Sequence, residues 1–128
     1  MPMRAWWLGA CLALGMSCAA AAPSIFDFDD WMQRVDDQSQ DLQRHIAKRD
    51  VTAASDSARE LEELYGLMED FFSNRGTGEN AVRWSREGRE FAQRAQTELA
   101  GKRFETARRN ALAIAHGCHD CHFKYKPL

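Results

Sequence analysis

The spacing of apolar residues constrains this fold more than any other feature, because they recur every three or four positions through four long stretches. This period of about 3.6 residues places the apolar side chains of each stretch on one face of an α-helix. The stretches cover about residues 27–49, a second segment that ends near 74, about 79–100, and a last segment that begins near 103. None of them alternates as a strand would. The pattern predicts an all-α protein, an antiparallel four-helix bundle with short links.

The links carry residues that start and stop helices. Asp50 and Thr52 are of the types that cap a helix N-terminus, so the second helix is expected to begin there. Gly76-Thr77-Gly78 should end the second helix, and Gly101 should end the third. Because no strand precedes it, we interpret Gly76-Thr77-Gly78 as a turn and not as a phosphate-binding loop.

The first residues have the pattern of an export signal. Arg4 precedes an apolar run from Ala5 to Met16, and the small residues Ala19 to Ala22 follow. A basic start, a short apolar core and an A-x-A-like cleavage site are typical of a secretory signal peptide. The run is too short to span a membrane. We predict a signal peptide at residues 1–21 and one domain at residues 22–128; a lipid anchor on Cys18 is the alternative.

Charge and cysteine content restrict the function of the exported domain. The chain has 17 basic and 19 acidic residues, and loss of the signal peptide removes Arg4, which leaves a net charge of −3 with histidine neutral. A domain without a basic stripe is not expected to bind nucleic acid. Cys11 and Cys18 would leave with the signal peptide, so the exported domain keeps only Cys118 and Cys121.

Cys118, Cys121 and His122 form the motif C-x-x-C-H, which is typical of c-type haem attachment. Each residue turns an α-helix by about 100°, so the three side chains fall within an arc of about 100°. One helical face can then present two thiols, which form thioethers with the vinyl groups of a porphyrin, and one imidazole, which binds the iron. The motif predicts one covalent haem c, attached at both cysteines, with His122 as the proximal iron ligand.

Two other kinds of site use the same residue types. A thioredoxin-like dithiol belongs beside a βαβ pattern, and nothing around Cys118 indicates a strand. A structural zinc ion needs four ligands, here Cys118, Cys121, His122 and either His116 or His119. Most such zinc sites take ligands from a second segment, and the exported domain has no second cysteine pair. Haem attachment remains the preferred interpretation.

Large side chains are concentrated at the level of this motif. In an up-down-up-down bundle the end of the last helix lies level with the start of the first and third helices and with the end of the second. The large residues at that level are Phe26, Phe28, Trp31, Met32, Met68, Phe71, Phe72, Trp84, Phe123 and Tyr125. Phe91 and Phe104 are expected at the opposite end. We predict that haem lies near the C-terminal end of the last helix, packed by Trp84, Phe28 and Tyr125.

The chain resembles class II c-type cytochromes, meaning the cytochrome c-prime family and its low-spin relatives. Their haem motif reads C-x-x-C-H-x-x-aromatic-basic, which runs here from Cys118 to Lys126, and Trp84 and Phe91 on the third helix also match. Lys126 stands where the family more often has arginine, which leaves open any role for a guanidinium. The resemblance covers the exported domain in architecture and the last helix in motif. It implies a periplasmic haem protein of bacterial type.

The residue at the sixth iron position separates two functions. In the low-spin relatives this ligand is a methionine early in the first helix, the place that Met32 occupies, and methionine ligation suits electron transfer. Met68 lies at the same level but is more simply explained as core. His45 lies about 20 Å beyond Met32 along the helix, too far to bind. An open position would instead bind nitric oxide or carbon monoxide.

The first hypothesis is therefore a periplasmic electron-transfer cytochrome with Met32 as the candidate distal ligand. The second is a five-coordinate haem protein that binds nitric oxide or carbon monoxide. The third is a haem-free helical adaptor with a Cys118–Cys121 disulfide. Catalysis is not expected, because no acid–base or nucleophile constellation accompanies the motif. The sequence does not name a redox partner. Members of the family often form homodimers through their first two helices, although no seam here requires it.

Overall fold

The computed structural model describes residues 19–76 and 78–125 of the chain. Within these residues it contains four helices and no strand: α1 (Ile25–Ala47), α2 (Val51–Arg75), α3 (Glu79–Ala100) and α4 (Phe104–Tyr125). The predicted all-α fold is confirmed, with α1 beginning and ending slightly earlier than predicted. Most of the predicted signal peptide, Thr77 and the end of the haem motif at Lys126 lie outside the described residues.

The four helices pack in a ring. α1 packs against α2 and α4, and α3 packs against the same two helices, whereas the backbones of the diagonal pairs of described helices stay more than 8 Å apart. The short links between consecutive helices make neighbours antiparallel, as in an up-down-up-down bundle. Small and branched apolar side chains fill the axis: Val35, Leu42, Ile46, Ala54, Ala58, Leu61, Leu64, Ala92, Ala95, Leu99, Ala107, Ala111 and Ile114. None of the four helices is long and apolar enough to cross a membrane.

A capping box fixes the start of α1. Asp27 N–H donates to Ser24 Oγ at 3.3 Å, and Ser24 N–H donates to Asp27 Oδ2 at 2.6 Å. This reciprocal pair satisfies two backbone donors that the helix itself leaves free. The hydrogen bonds from Ser24 also lower the pKa of the Asp27 carboxyl below its usual value. The sequence carries this signal in Ser24 and Asp27, which explains why α1 begins before the predicted position.

The two turns at the end of the bundle away from the C-x-x-C-H motif share one backbone geometry. Asp50 N–H bonds to the His45 carbonyl at 3.0 Å, and Arg103 N–H bonds to the Glu98 carbonyl at 2.8 Å. Each bond closes a Schellman-type turn, which needs a left-handed residue just before the donor. In the second turn that residue is Lys102, with φ at 56°. Glycine adopts this conformation more readily than any other residue.

Replacing Lys102 with glycine should therefore stabilise the protein. The left-handed conformation destabilises a residue with a side chain by about 1–2 kcal/mol. Glycine avoids this cost, but it loses more conformational entropy on folding, so the net stabilisation is smaller. We expect Lys102→Gly to raise the free energy of unfolding in urea by about 0.5–1 kcal/mol. Lys48→Gly is the matched control, because Lys48 has a right-handed φ of −80° and should gain nothing. Equal effects of both substitutions would contradict this account.

Candidate functional site

The C-x-x-C-H motif lies in the last turns of α4 and lines a cavity inside the bundle. Cys118 and Cys121 are partly buried and both thiols are free, whereas His122 is exposed on one side. All three residues line the same cavity, which has a volume of about 50 Å³. Cofactor sites typically measure about 300–1,000 Å³ and are mostly apolar. The cavity therefore has the apolar character of a small-molecule site, and a group as large as a porphyrin would have to part the side chains that line it.

All four helices contribute to the lining of this cavity. Besides the motif, its lining residues are Met32, Val35, Tyr65, Met68, Trp84, Ser85, Glu87, Gly88, Phe91, Ala113, Ile114 and Gly117. Most of these side chains are apolar, so the lining suits an apolar group. The polar groups are few, as expected where orientation is set by a small number of contacts.

Met32 and His122 lie at the same level of the bundle. Both line the cavity, and both also line an adjoining groove between α1 and α4 whose other residues are Gln33, Val35, Asp36, Cys118, His119 and Phe123. We call this the α1–α4 groove. The structure thus brings together the two residues that the sequence analysis assigns to opposite faces of the iron. Met68 is buried and lines the cavity as well, from α2.

The three aromatic residues assigned to haem packing occupy different surroundings. Trp84 lines the cavity, and the Tyr125 ring meets it edge-on with 6.0 Å between ring centroids. Phe28 instead stacks on Phe71 with 4.9 Å between centroids, in an aromatic cluster that also holds Trp31 and Phe72. The cluster closes the end of the α1–α2 pair. Phe28 is not among the residues that line the cavity.

Phe91 departs from the sequence analysis, which expects it at the opposite end of the bundle. It lines the cavity together with Trp84. Phe91 lies two helical turns, or about 10.5 Å, further along α3 than Trp84. The cavity therefore runs along α3 instead of ending at the level of Trp84. The sequence analysis places residues only by their distance from the helix ends, which does not predict how deep a cavity extends.

Several residues near the motif face away from the cavity. Phe26 and Phe123 are 80% and 85% exposed. His116 and His119 are also exposed. His45 lies in the last turn of α1 and lines a polar groove between α1 and α2, away from the motif. Within the described residues, no group of three or more His, Cys, Asp or Glu side chains is arranged to hold a metal ion.

Tyr65 lines the cavity although the sequence analysis does not single it out. It is buried on α2, and its hydroxyl lies 4.0 Å from Cys118 Sγ, within hydrogen-bonding range for sulfur. Gly88 on α3 makes room for its ring, because a Cβ atom at Gly88 would fall 2.6 Å from the ring edge. The pair Tyr65–Gly88 is thus a close contact between neighbouring helices. In the sequence, only the position of Gly88 in the middle of a helix indicates this contact.

Burial controls the protonation of these groups. Burial raises the pKa of the Cys118 thiol, and the hydrogen bond with Tyr65 offsets part of that rise. Burial and the neighbouring Cys118 also raise the pKa of Cys121. The pKa of Tyr65 rises well above its usual value, first through burial and then through Cys118. All three groups are therefore neutral at physiological pH.

The surroundings of Gly117 bear on whether the cavity residues fit a bound group. It lines the cavity one residue before Cys118, and a Cβ atom built there would meet no protein atom within 4 Å. A mid-helix glycine costs about 0.5–1 kcal/mol relative to alanine. No packing within the described residues requires this glycine, and open space lies beside it next to Cys118. With two thiols, an imidazole and a thioether on one cavity, the residues fit a haem.

Comparison of this chain with known protein families, curated proteins and solved structures finds no match. The site is therefore interpreted from its own residues and geometry.

The Tyr65–Gly88 contact leads to the first prediction for the site. Gly88→Ala should force the Tyr65 ring to move and lower the free energy of unfolding by about 1–3 kcal/mol. Gly66→Ala is the matched control, because its Cβ atom would meet only Arg89 Cδ, at 3.9 Å. That control should raise stability by about 0.5–1 kcal/mol. Urea unfolding measures both, and a stabilising Gly88→Ala would show that the ring does not need this space.

Proposed function

We propose that this protein is a periplasmic c-type cytochrome that carries one covalent haem c and transfers electrons. One observation carries the proposal: Cys118, Cys121 and His122 line a single apolar cavity together with Met32. The two thiols would hold the haem as thioethers, and His122 would be the proximal iron ligand. Met32 would be the distal ligand. The bound haem would supply one-electron redox chemistry, and the chain would bind and orient it.

The ligand set supports electron transfer. Thioether ligation by methionine opposite histidine raises the reduction potential of haem iron. Met32 is partly buried and packs against the core, so it can hold a fixed position at the cavity. Trp84 and Phe91 extend the apolar wall and exclude water. An apolar wall favours the less charged, reduced state of the iron, in the same direction as methionine ligation.

Location and partners follow from the remaining features of the chain. The predicted signal peptide at residues 1–21 supports export to the periplasm. The α1–α4 groove opens from Met32 and His122 to the surface, so it offers a path for electrons to and from a partner protein. The net acidic charge supports a protein partner and not nucleic acid. The carboxylate of Glu87 lines the cavity, but it is 49% exposed and lies 3.7 Å from Arg83 Nε. We therefore propose electron transfer and not catalysis.

Covalent attachment is the first test. Protein made with a haem-attachment system should keep its haem through acid–acetone extraction and denaturing electrophoresis, because thioether bonds survive both. The variant with Cys118→Ala and Cys121→Ala should release any haem it binds. Intact mass should show one haem and loss of residues 1–21. A colourless native protein with a Cys118–Cys121 disulfide would overturn the proposal in favour of a haem-free adaptor.

Iron ligation by Met32 is the second test. Met32→Leu keeps the side-chain volume and removes the sulfur, so the iron should become high-spin and bind carbon monoxide. Met68→Leu is the matched control, since Met68 lines the same cavity, and it should keep the low-spin spectrum of the native protein. Loss of the low-spin signal in Met68→Leu alone would make Met68 the ligand. A native protein that is already high-spin and binds carbon monoxide would favour the gas-binding function.

A further inference from the structure

Tyr65 presents a buried hydroxyl to the candidate haem cavity. The residue is 6% exposed, and its hydroxyl has one hydrogen-bond partner among the described residues, Cys118 Sγ at 4.0 Å. Sulfur is a weak acceptor, and a buried tyrosine hydroxyl usually has a better partner. The Tyr65 hydroxyl is therefore held at the cavity wall next to Cys118. Burying a hydroxyl with only this weak partner costs free energy, and packing of the ring alone does not explain why a hydroxyl is there.

The surroundings of Tyr65 fix the direction of that hydroxyl. Its ring lies against Gly88 on α3, where any side chain would collide with it. Glu69, one helical turn beyond Tyr65 on α2, is held by Arg86 at 2.8 Å and by Arg89 at 2.9 Å on α3. These ion pairs bracket Gly88 in sequence, so they hold α2 and α3 in register at this contact. The tyrosine can rotate little without losing its place in the core.

We propose that Tyr65 donates a hydrogen bond to the sulfur through which Cys118 holds the haem, and thereby positions that sulfur and raises the reduction potential. The inference rests on the proposed function. In the free thiol either atom can donate. Once the sulfur is a thioether it has lost its hydrogen and can only accept, so Tyr65 must be the donor. Burial raises the pKa of Tyr65, which keeps its proton in place.

The direction of the effect on potential follows from the dipole of the hydroxyl. With haem bound, the positive end of the O–H bond would point at the Cys118 sulfur beside the haem, where it would stabilise the more electron-rich, reduced state. Its effect is larger in a water-excluded cavity than in water, because the local dielectric constant is low. No equivalent partner contacts Cys121 among the described residues, so the two attachment sulfurs are not equivalent. Tyr65 is a positioning residue, since it acts through Cys118.

The experiment compares two substitutions that each remove one hydroxyl. Tyr65→Phe keeps the ring on Gly88. Ser57→Ala is the matched control, because Ser57 is a buried residue on the same helix that lines the polar groove between α1 and α2 and not the cavity. The holoprotein is titrated for its midpoint potential, and its proton NMR spectrum is searched for a slowly exchanging hydroxyl. Tyr65→Phe should lower the potential and remove that hydroxyl signal. Ser57→Ala should change neither.

Gly88→Ala supplies a second variant that keeps the Tyr65 hydroxyl but displaces its ring. The reduction potential of its haem should also be lowered. Because this variant keeps the Tyr65 oxygen atom, a lowered potential would point to the lost hydrogen bond as the cause. A coloured protein whose potential is the same with Tyr65 or phenylalanine would overturn the inference and leave the proposed function intact. A native protein without covalent haem would overturn both, and the extraction test reveals that case before any titration.

Discussion

One face of α4 serves both the core and the cavity, and the rest of the site depends on that continuity. Ala107, Ala111 and Ile114 are buried along this face. The same stripe continues through Cys118 and Cys121, because each step along it is three or four residues. The attachment residues therefore point inward for the same geometric reason as the core residues above them. A rotation of α4 that exposed the thiols would also expose Ile114.

The size of the side chains divides the bundle into two halves along its axis. Alanines such as Ala58, Ala95 and Ala107 let the helices approach closely in one half. In the other half the wall is formed by Met32, Trp84 and other large side chains, and the helices enclose a cavity. Close packing in one half fixes the helices against one another up to the edge of the cavity.

Much of this arrangement is contained in the sequence. The apolar period gives the four helices, and the position of the links gives their antiparallel order. That order alone places Met32 near His122, since both lie close to the same end of the bundle. The period says little about the rotation of one helix against another. For this reason Phe28 was expected beside the cavity, although it packs in a separate aromatic cluster with Phe71.

The contact of Tyr65 with Gly88 could not be predicted for a related reason. It depends on the register between α2 and α3, which is set by long-range pairs such as Glu69 with Arg86 and Arg89. Such pairs contribute little stability at a surface, although Glu69 is only 13% exposed. Their main effect here is to fix one helix against its neighbour. A mid-helix glycine in the sequence indicates a close contact but does not name the partner.

Two glycines on the cavity wall show how stability and binding oppose each other. Gly88 admits a buried ring, and Gly117 leaves space that no described protein atom fills. Each lowers helix stability by about 0.5–1 kcal/mol relative to alanine. At Gly88 that cost is offset within the protein by packing of Tyr65. At Gly117 no contact within the described residues offsets that cost, and this position lies directly before Cys118 on the cavity wall.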